Sequence, residues 1–191
     1  MNKTMFSQFI KKPMMTGAVC ASSPELAQML TSAIGLESAE TAAELGPGTG
    51  AVTGTILQKI PGNCRFFTVE LNEEVLLEFQ KAFPCVRVYH DSAANLHNII
   101  KKEKITSLDC IISGLPWSIF PEQLQKDILS AIVDTLSPDG SFTTFSYLQS
   151  TLLPRGHLFY KLLKSFFVKV DRSPIVWKNL PPAFVYRCRK K

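Results

Sequence analysis

The stretch Glu44-Leu45-Gly46-Pro47-Gly48-Thr49-Gly50 narrows the possible folds of this chain more than any other. Thr41-Ala42-Ala43 before it reads as a short apolar strand, and Ala51 to Leu57 after it as the first turns of a helix. Strand, glycine loop and helix are the plan of a nucleotide-binding crossover in a parallel sheet. The glycines permit a sharp turn and let a ligand approach the backbone without meeting a Cβ. The helix start adds unpaired N–H groups that face the ligand. Glu44 closes the strand. A second acid, Glu70, stands twenty residues beyond Gly50, at the end of the apolar run Phe66–Val69. An acid there can accept both hydroxyls of a ribose, and the adjoining Leu71 belongs to the same candidate contact.

Two cofactors fit this spacing. Gly46-x-Gly48-x-x-Ala51 satisfies the loose dinucleotide pattern, in which alanine stands for the third glycine. The same residues also resemble E-x-G-x-G-x-G, the first motif of class I S-adenosylmethionine (SAM) methyltransferases. Glu44 favours the second. A pyrophosphate gains nothing from a neighbouring carboxylate, whereas SAM carries an amino group and a sulfonium.

The remaining chain alternates strands and helices. Ser22 with Glu25 matches a capping box, Pro24 suits a first turn, and the helix Glu25–Ile34 ends at Gly35. A strand over Arg65–Glu70 precedes a helix from Asn72 to about Phe83. A third strand, Val86–Tyr89, ends at His90-Asp91-Ser92, where Asp91 and Ser92 also suit the cap of the run Ala93–Ile100. Leu108–Ile112 is nearly all apolar, as a buried parallel strand should be. The helix Pro121–Leu136, a turn Ser137–Gly140 and a strand Ser141–Leu148 follow. Then come a loop and helix over Leu152–Lys164 and strands Phe166–Asp171 and Ala183–Cys188. This predicts an α/β, Rossmann-like, doubly wound and mostly parallel sheet with helices on both faces. Residues 1–191 read as a single domain, with N-terminal amphipathic or lid helices over 1–35 and the core over 40–191. Its ligand belongs beyond the carboxyl ends of the strands, where Glu44, Glu70, Asp91 and Ser113 all fall.

Charge is divided unevenly. Residues 1–150 carry 11 basic and 15 acidic side chains, a net −4; residues 151–191 carry 10 basic and 1 acidic, a net +9. A basic quarter on an acidic body suggests an anionic partner, a membrane surface or a nucleic acid. At the N-terminus, Met5, Phe6, Phe9 and Ile10 share a helical face beside Lys3, Lys11 and Lys12, and Pro13 stops the helix. So short a helix needs a protein groove or a lipid interface. No apolar run is as long as a membrane span, and the cysteines form no C-x-x-C pair, which reads as a reduced cytoplasmic protein. The histidines lack metal-ligand spacing.

Ser113-Gly114-Leu115-Pro116-Trp117 ends the fourth strand. It resembles the Asn/Asp-Pro-Pro-aromatic or Asn-Leu-Pro-Tyr motif of amino-group methyltransferases. That resemblance implies backbone carbonyls turned towards the acceptor nitrogen and an aromatic wall beside it. Gly114 replaces the usual hydrogen-bonding side chain, which suits a flexible primary amine better than a planar base amine. Further resemblance runs through Phe6-x-x-Phe9-Ile10-Lys11-Lys12-Pro13, Thr16-Gly17-Ala18 and Val176-Trp177-Lys178-Asn179-Leu180-Pro181-Pro182-Ala183-Phe184-Val185-Tyr186. Together these resemble the bacterial phospholipid N-methyltransferases of the PmtA type and, more distantly, the ribosomal RNA adenine dimethyltransferases.

The resemblance implies a monomeric enzyme that moves methyl groups from SAM to the amine of phosphatidylethanolamine-type headgroups by in-line displacement. Its cofactor contacts would be Glu44, Gly46, Pro47, Gly48, Thr49, Gly50, Glu70, Leu71, Asp91, Ser92 and Ser113, with Asp91 on the adenine amino group. The acceptor side would be Gly114, Leu115, Pro116 and Trp117, without a metal. It also implies peripheral association with anionic lipid at the inner face of the cytoplasmic membrane. Base methylation of RNA and SAM binding without catalysis are the alternatives.

Overall fold

The computed structural model describes residues 22–190. The predicted helix carrying Phe6 and Phe9 and the Thr16–Ala18 connector lie outside the described residues. The elements in chain order are α1 (Pro24–Leu30), β1 (Thr41–Leu45), α2 (Thr53–Lys59), β2 (Arg65–Glu70), α3 (Glu73–Ala82), β3 (Arg87–His90) and α4 (Leu96–Lys102). They continue with β4 (Leu108–Ser113), α5 (Glu122–Thr135), β5 (Leu136–Tyr147), α6 (Pro154–Phe166), β6 (Lys169–Arg172) and β7 (Ala183–Arg189).

All seven strands form one sheet in the order β3-β2-β1-β4-β5-β7-β6. The first five run parallel, and β7 lies antiparallel between β5 and β6. The period of two along each strand separates two cores. Ala43, Leu45 and Ile111 face the layer that includes α4, α5 and α6. Ala42, Cys110 and Ile112 face α1 and α2. Both faces are therefore covered, which is why β4 is apolar almost throughout. The chain order reverses between β1 and β4, so the loops leaving these two strands flank the switch point at which such sheets take ligands.

Several expectations shift, and Phe166, read as the start of a strand to Asp171, instead ends α6, with β6 beginning at Lys169. The cap of α1 is Ser23, not Ser22: its side chain accepts from the Leu26 N–H at 3.2 Å, while the Ser23 N–H donates to Asn179 Oδ1 at 3.0 Å. The helix also ends earlier, at Leu30, and Gly35 adopts its left-handed conformation in the following connection. The predicted turn Ser137–Gly140 is absorbed into β5 as an irregularity. Leu108 pairs with Leu136, but Cys110 pairs with Ser141. Turn chemistry is present, yet strand pairing continues on either side of it.

Candidate active site

Each glycine of the β1–α2 loop has a separate physical task. Gly46, Gly48 and Gly50 all have positive φ, at 71°, 56° and 83°, where a side chain is disfavoured. A Cβ on Gly46 would stand 2.8 Å from Leu115 Cδ2, and one on Gly50 only 2.0 Å from Phe83 Cε2. Gly48 has open space where its Cβ would be. It borders a cavity of about 330 Å³, within the range of small-molecule sites.

That cavity gathers Gly46, Pro47, Gly48 and Thr49 from the loop with Glu70, Leu71, Asp91 and Ser92 from the ends of β2 and β3. Gly114, Leu115, Pro116 and Trp117 also line it. Glu44, Gly50 and Ser113 do not border the cavity. Glu44 lies buried under the loop, accepting from Thr53 Oγ1 at 2.6 Å. Burial, together with the charge of Glu70, pushes its carboxyl up to about 7 against the opposing Thr53 bond. Gly50 packs beneath Phe83. Ser113 is fully buried, and its hydroxyl accepts from the Leu115 N–H at 3.2 Å.

Glu70 is fixed by its own turn. Oε1 accepts from the N–H groups of Leu71 and Asn72, both at 2.8 Å. Burial still raises its carboxyl above the ordinary value, with these bonds pulling the other way. Asp91 is oriented similarly: Oδ1 accepts from Ser92 N–H and Asn95 Nδ2, both at 2.7 Å, while Ser92 caps the next turn by accepting from Ala94 N–H. One oxygen of each acid is held by its own loop, and the Gly48 N–H also acts on the Glu70 carboxylate.

The β4 loop meets the glycine loop directly. Gly114 N–H donates to the Leu45 carbonyl at 2.9 Å, and a Cβ on Gly114 would stand 2.6 Å from the Gly46 carbonyl oxygen. This contact accounts for the glycine where related motifs carry a side chain. The carbonyls of Ser113, Leu115, Pro116 and Trp117 accept from Thr144, Trp117, Ile119 and Gln125 respectively. Among the described residues, no donor reaches the Gly114 carbonyl.

Trp117 reaches further into the protein than an aromatic wall would. It is 3% exposed, donates from Nε1 to Thr144 Oγ1 at 2.8 Å and stacks on Phe159 at 4.9 Å. It forms the cavity's floor as part of the core. Phe145, Ser150, Arg155 and Phe159 complete the acceptor end. They come from β5, the turn after it and α6, where no motif marks them in the sequence.

The residues fit SAM. Gly48 leaves room against the backbone, Glu70 offers an oxygen for ribose hydroxyls, and Asp91 offers one for an amino group. The fold is the Rossmann-like one of the class I SAM-dependent methyltransferases. In sequence the chain is similar to the ornithine lipid N-methyltransferase of Singulisphaera acidiphila, at 29% identity over 187 residues, covering 95% of this chain and 92% of that one. The O-methyltransferase from Bacillus cereus, solved in complex with SAH, superimposes with a TM-score of 0.70 at 14% identity, over 98% of this chain and 89% of that one. TrmN from Thermus thermophilus gives a TM-score of 0.69 at 17% identity, over 88% of this chain. This chain covers only 49% of TrmN's length. No protein-family model matches the chain.

Proposed function

We propose that this protein is an N-methyltransferase that acts on the primary amine of a membrane aminolipid. The observation that carries this reading is the likeness to a lipid N-methyltransferase along nearly the whole chain. The cavity supports it, since its acceptor end is built from Leu115, Phe145 and Phe159, and Gly114 presents only its backbone. The headgroup is of the phosphatidylethanolamine type, in keeping with the motifs at Gly114–Trp117 and Val176–Tyr186, or of the ornithine type borne by the relative.

SAM, when bound, supplies a methyl group on a positively charged sulfur. The glycine loop, Glu70 and Asp91 would hold it, and the β4 loop would hold the acceptor. The Gly114 carbonyl accepts an N–H of the incoming amine, which turns the nitrogen lone pair away from the loop. Fixing two reactants in this way removes several kcal/mol from a bimolecular barrier. A primary alkylamine has a pKa near that of lysine, about 10, so it must lose a proton before attack. The apolar side chains of Leu115, Phe145 and Phe159 favour the neutral form. Water or an acidic group of the lipid takes the proton.

Incubation with methyl-labelled SAM and vesicles of phosphatidylethanolamine or ornithine lipid, or with total RNA, tests the proposal. Label is expected in the lipid extract. Label in RNA would replace the proposal with base methylation, and SAM binding with no transfer to any of the three would leave a binding protein.

A further inference from the structure

The cavity has an electrical polarity that the cofactor alone does not explain. Among the described residues, its acidic lining residues, Glu70, Glu78 and Asp91, belong to the β2, α3 and β3 side, whereas its one basic lining residue, Arg155, belongs to α6. Arg155 is exposed and has no acidic partner among the described residues. It lies in the first turn of a 13-residue helix whose N-cap, Leu153, offers no capping side chain. Pro154 has no N–H, and those of Gly156 and His157 donate to the Leu153 carbonyl at 3.0 and 3.3 Å, which leaves the Arg155 N–H at the helix start. Gly156 lines the cavity too, and it seats the helix start tightly: a Cβ there would stand 1.9 Å from the Ser150 carbonyl oxygen. Ser150 is only 7% exposed, borders the cavity, and its hydroxyl makes no hydrogen bond to another described residue. A guanidinium, the Arg155 N–H and the Ser150 hydroxyl on one space are complementary to an anion.

We propose that Arg155, Ser150 and the N-terminal turn of α6 form a subsite for the acidic group that an aminolipid headgroup carries a few bonds from its amine. The proposal rests on the lipid reading above. A phosphodiester in phosphatidylethanolamine and a carboxylate in an ornithine headgroup present the same chemistry: negative oxygens spaced from a primary amine. Holding that group at α6 places the amine towards Gly114 and selects against amines that lack the acid.

The test uses the full chain with three probes: dihexanoylphosphatidylethanolamine, ornithine lipid, and a long-chain alkylamine with no acidic group. Binding is read by calorimetry with SAH present, and turnover is read separately. Arg155→Ala should weaken binding of the acidic aminolipids at least about tenfold, the effect of losing one charge-assisted hydrogen bond. It should leave SAM affinity within twofold and abolish the preference over the alkylamine. Arg155→Lys should restore part of that preference, and Ser150→Ala should show a smaller loss of the same kind. The aminolipid with the larger Arg155 dependence identifies which acid the subsite takes. Equal losses for all three probes, or none, would overturn the subsite. So would a fall in SAM affinity, which would assign Arg155 to the cofactor's carboxylate. Arg155-dependent binding without transfer by the wild type would remove the function and keep the subsite. Transfer unchanged in Arg155→Ala would do the reverse.

Discussion

Glu44 shows how one residue can belong to a motif without facing the ligand. It projects from β1 to the α2 face, where Thr53 donates to it in a fully buried setting. Its carboxyl moves from an ordinary 4.5 to about 7, so the folded protein favours the protonated form. A group whose folded pKa is raised contributes its full stability below the unfolded value, and that contribution is lost as pH climbs through the folded one. Between pH 5 and pH 8 this loss amounts to about 3 kcal/mol or less. Glu44→Gln keeps the shape and an acceptor for Thr53 but cannot ionise. It should therefore raise Tm over the wild type at pH 8, with the gap closing towards pH 5; a gap independent of pH would show that Glu44 is not the titrating group. The sequence made Glu44 legible as part of the loop, because residue types and spacing specify a motif. It did not separate Gly48, which opens on the cavity, from Gly50, which packs under Phe83. That distinction depends on α3, more than twenty residues away in the chain. Arg155 and Ser150 were silent for the same reason, since only the closure of α6 over the sheet brings them to the cavity.

Among the elements, the turn after β4 is tied to its neighbours by Trp117. The indole stacks on Phe159 of α6, meets Phe142 of β5 edge-on at 6.2 Å and donates to Thr144. Gln125 of α5 reaches back to the Trp117 and Phe120 carbonyls at 2.9 and 3.0 Å. Removing the indole leaves a void at the meeting of three elements and takes away the donor to Thr144, whose own bond to the Ser113 carbonyl stays. Trp117→Ala should thus destabilise the fold by about 3–5 kcal/mol, read by chemical denaturation. Trp117→Phe should recover most of the packing and lose the hydrogen bond, at a cost of about 1 kcal/mol. A Trp117→Ala variant of wild-type stability, with turnover alone lost, would restore the acceptor wall that the motif suggested. Strands were the most legible elements: β2 is found at Arg65–Glu70 as read, because an apolar run bounded by Asn63 and Asn72 admits few other structures. Helix starts and turns were less so. Ser22 and Ser23 are equivalent caps by type, and only Asn179, 156 residues on, selects Ser23 by holding its N–H. Ser137–Gly140 has turn residues, yet β4 continues to pair around it.

At the scale of the whole molecule, a basic residue that lines the cavity and exposed apolar side chains lie together at the start of α6. The last 41 residues carry the net +9, while the remainder is net negative. Leu152, Leu153 and Leu158 are 84%, 56% and 56% exposed, and they surround Arg155 at the start of α6. No helix among the described residues is long and apolar enough to cross a membrane. On the proposed aminolipid reading the amine lies at the bilayer surface, and the cavity would have to come to it. The α6 rim is suited to this. Each leucine withdrawn from water contributes about 1.5–3 kcal/mol, and each basic residue near an anionic leaflet about 1 kcal/mol. The second contribution is screened over about 8 Å at physiological salt, while the first is not. The protein should therefore float with vesicles containing anionic lipid, and less of it should float as salt rises. Leu152→Ser with Leu153→Ser should lower the bound fraction at every salt concentration by at least about tenfold in partition coefficient, and should leave SAM affinity unchanged. The two effects should combine independently, since one is electrostatic and the other is burial of apolar area. Flotation that ignores both salt and the double substitution would place the membrane contact elsewhere on the chain.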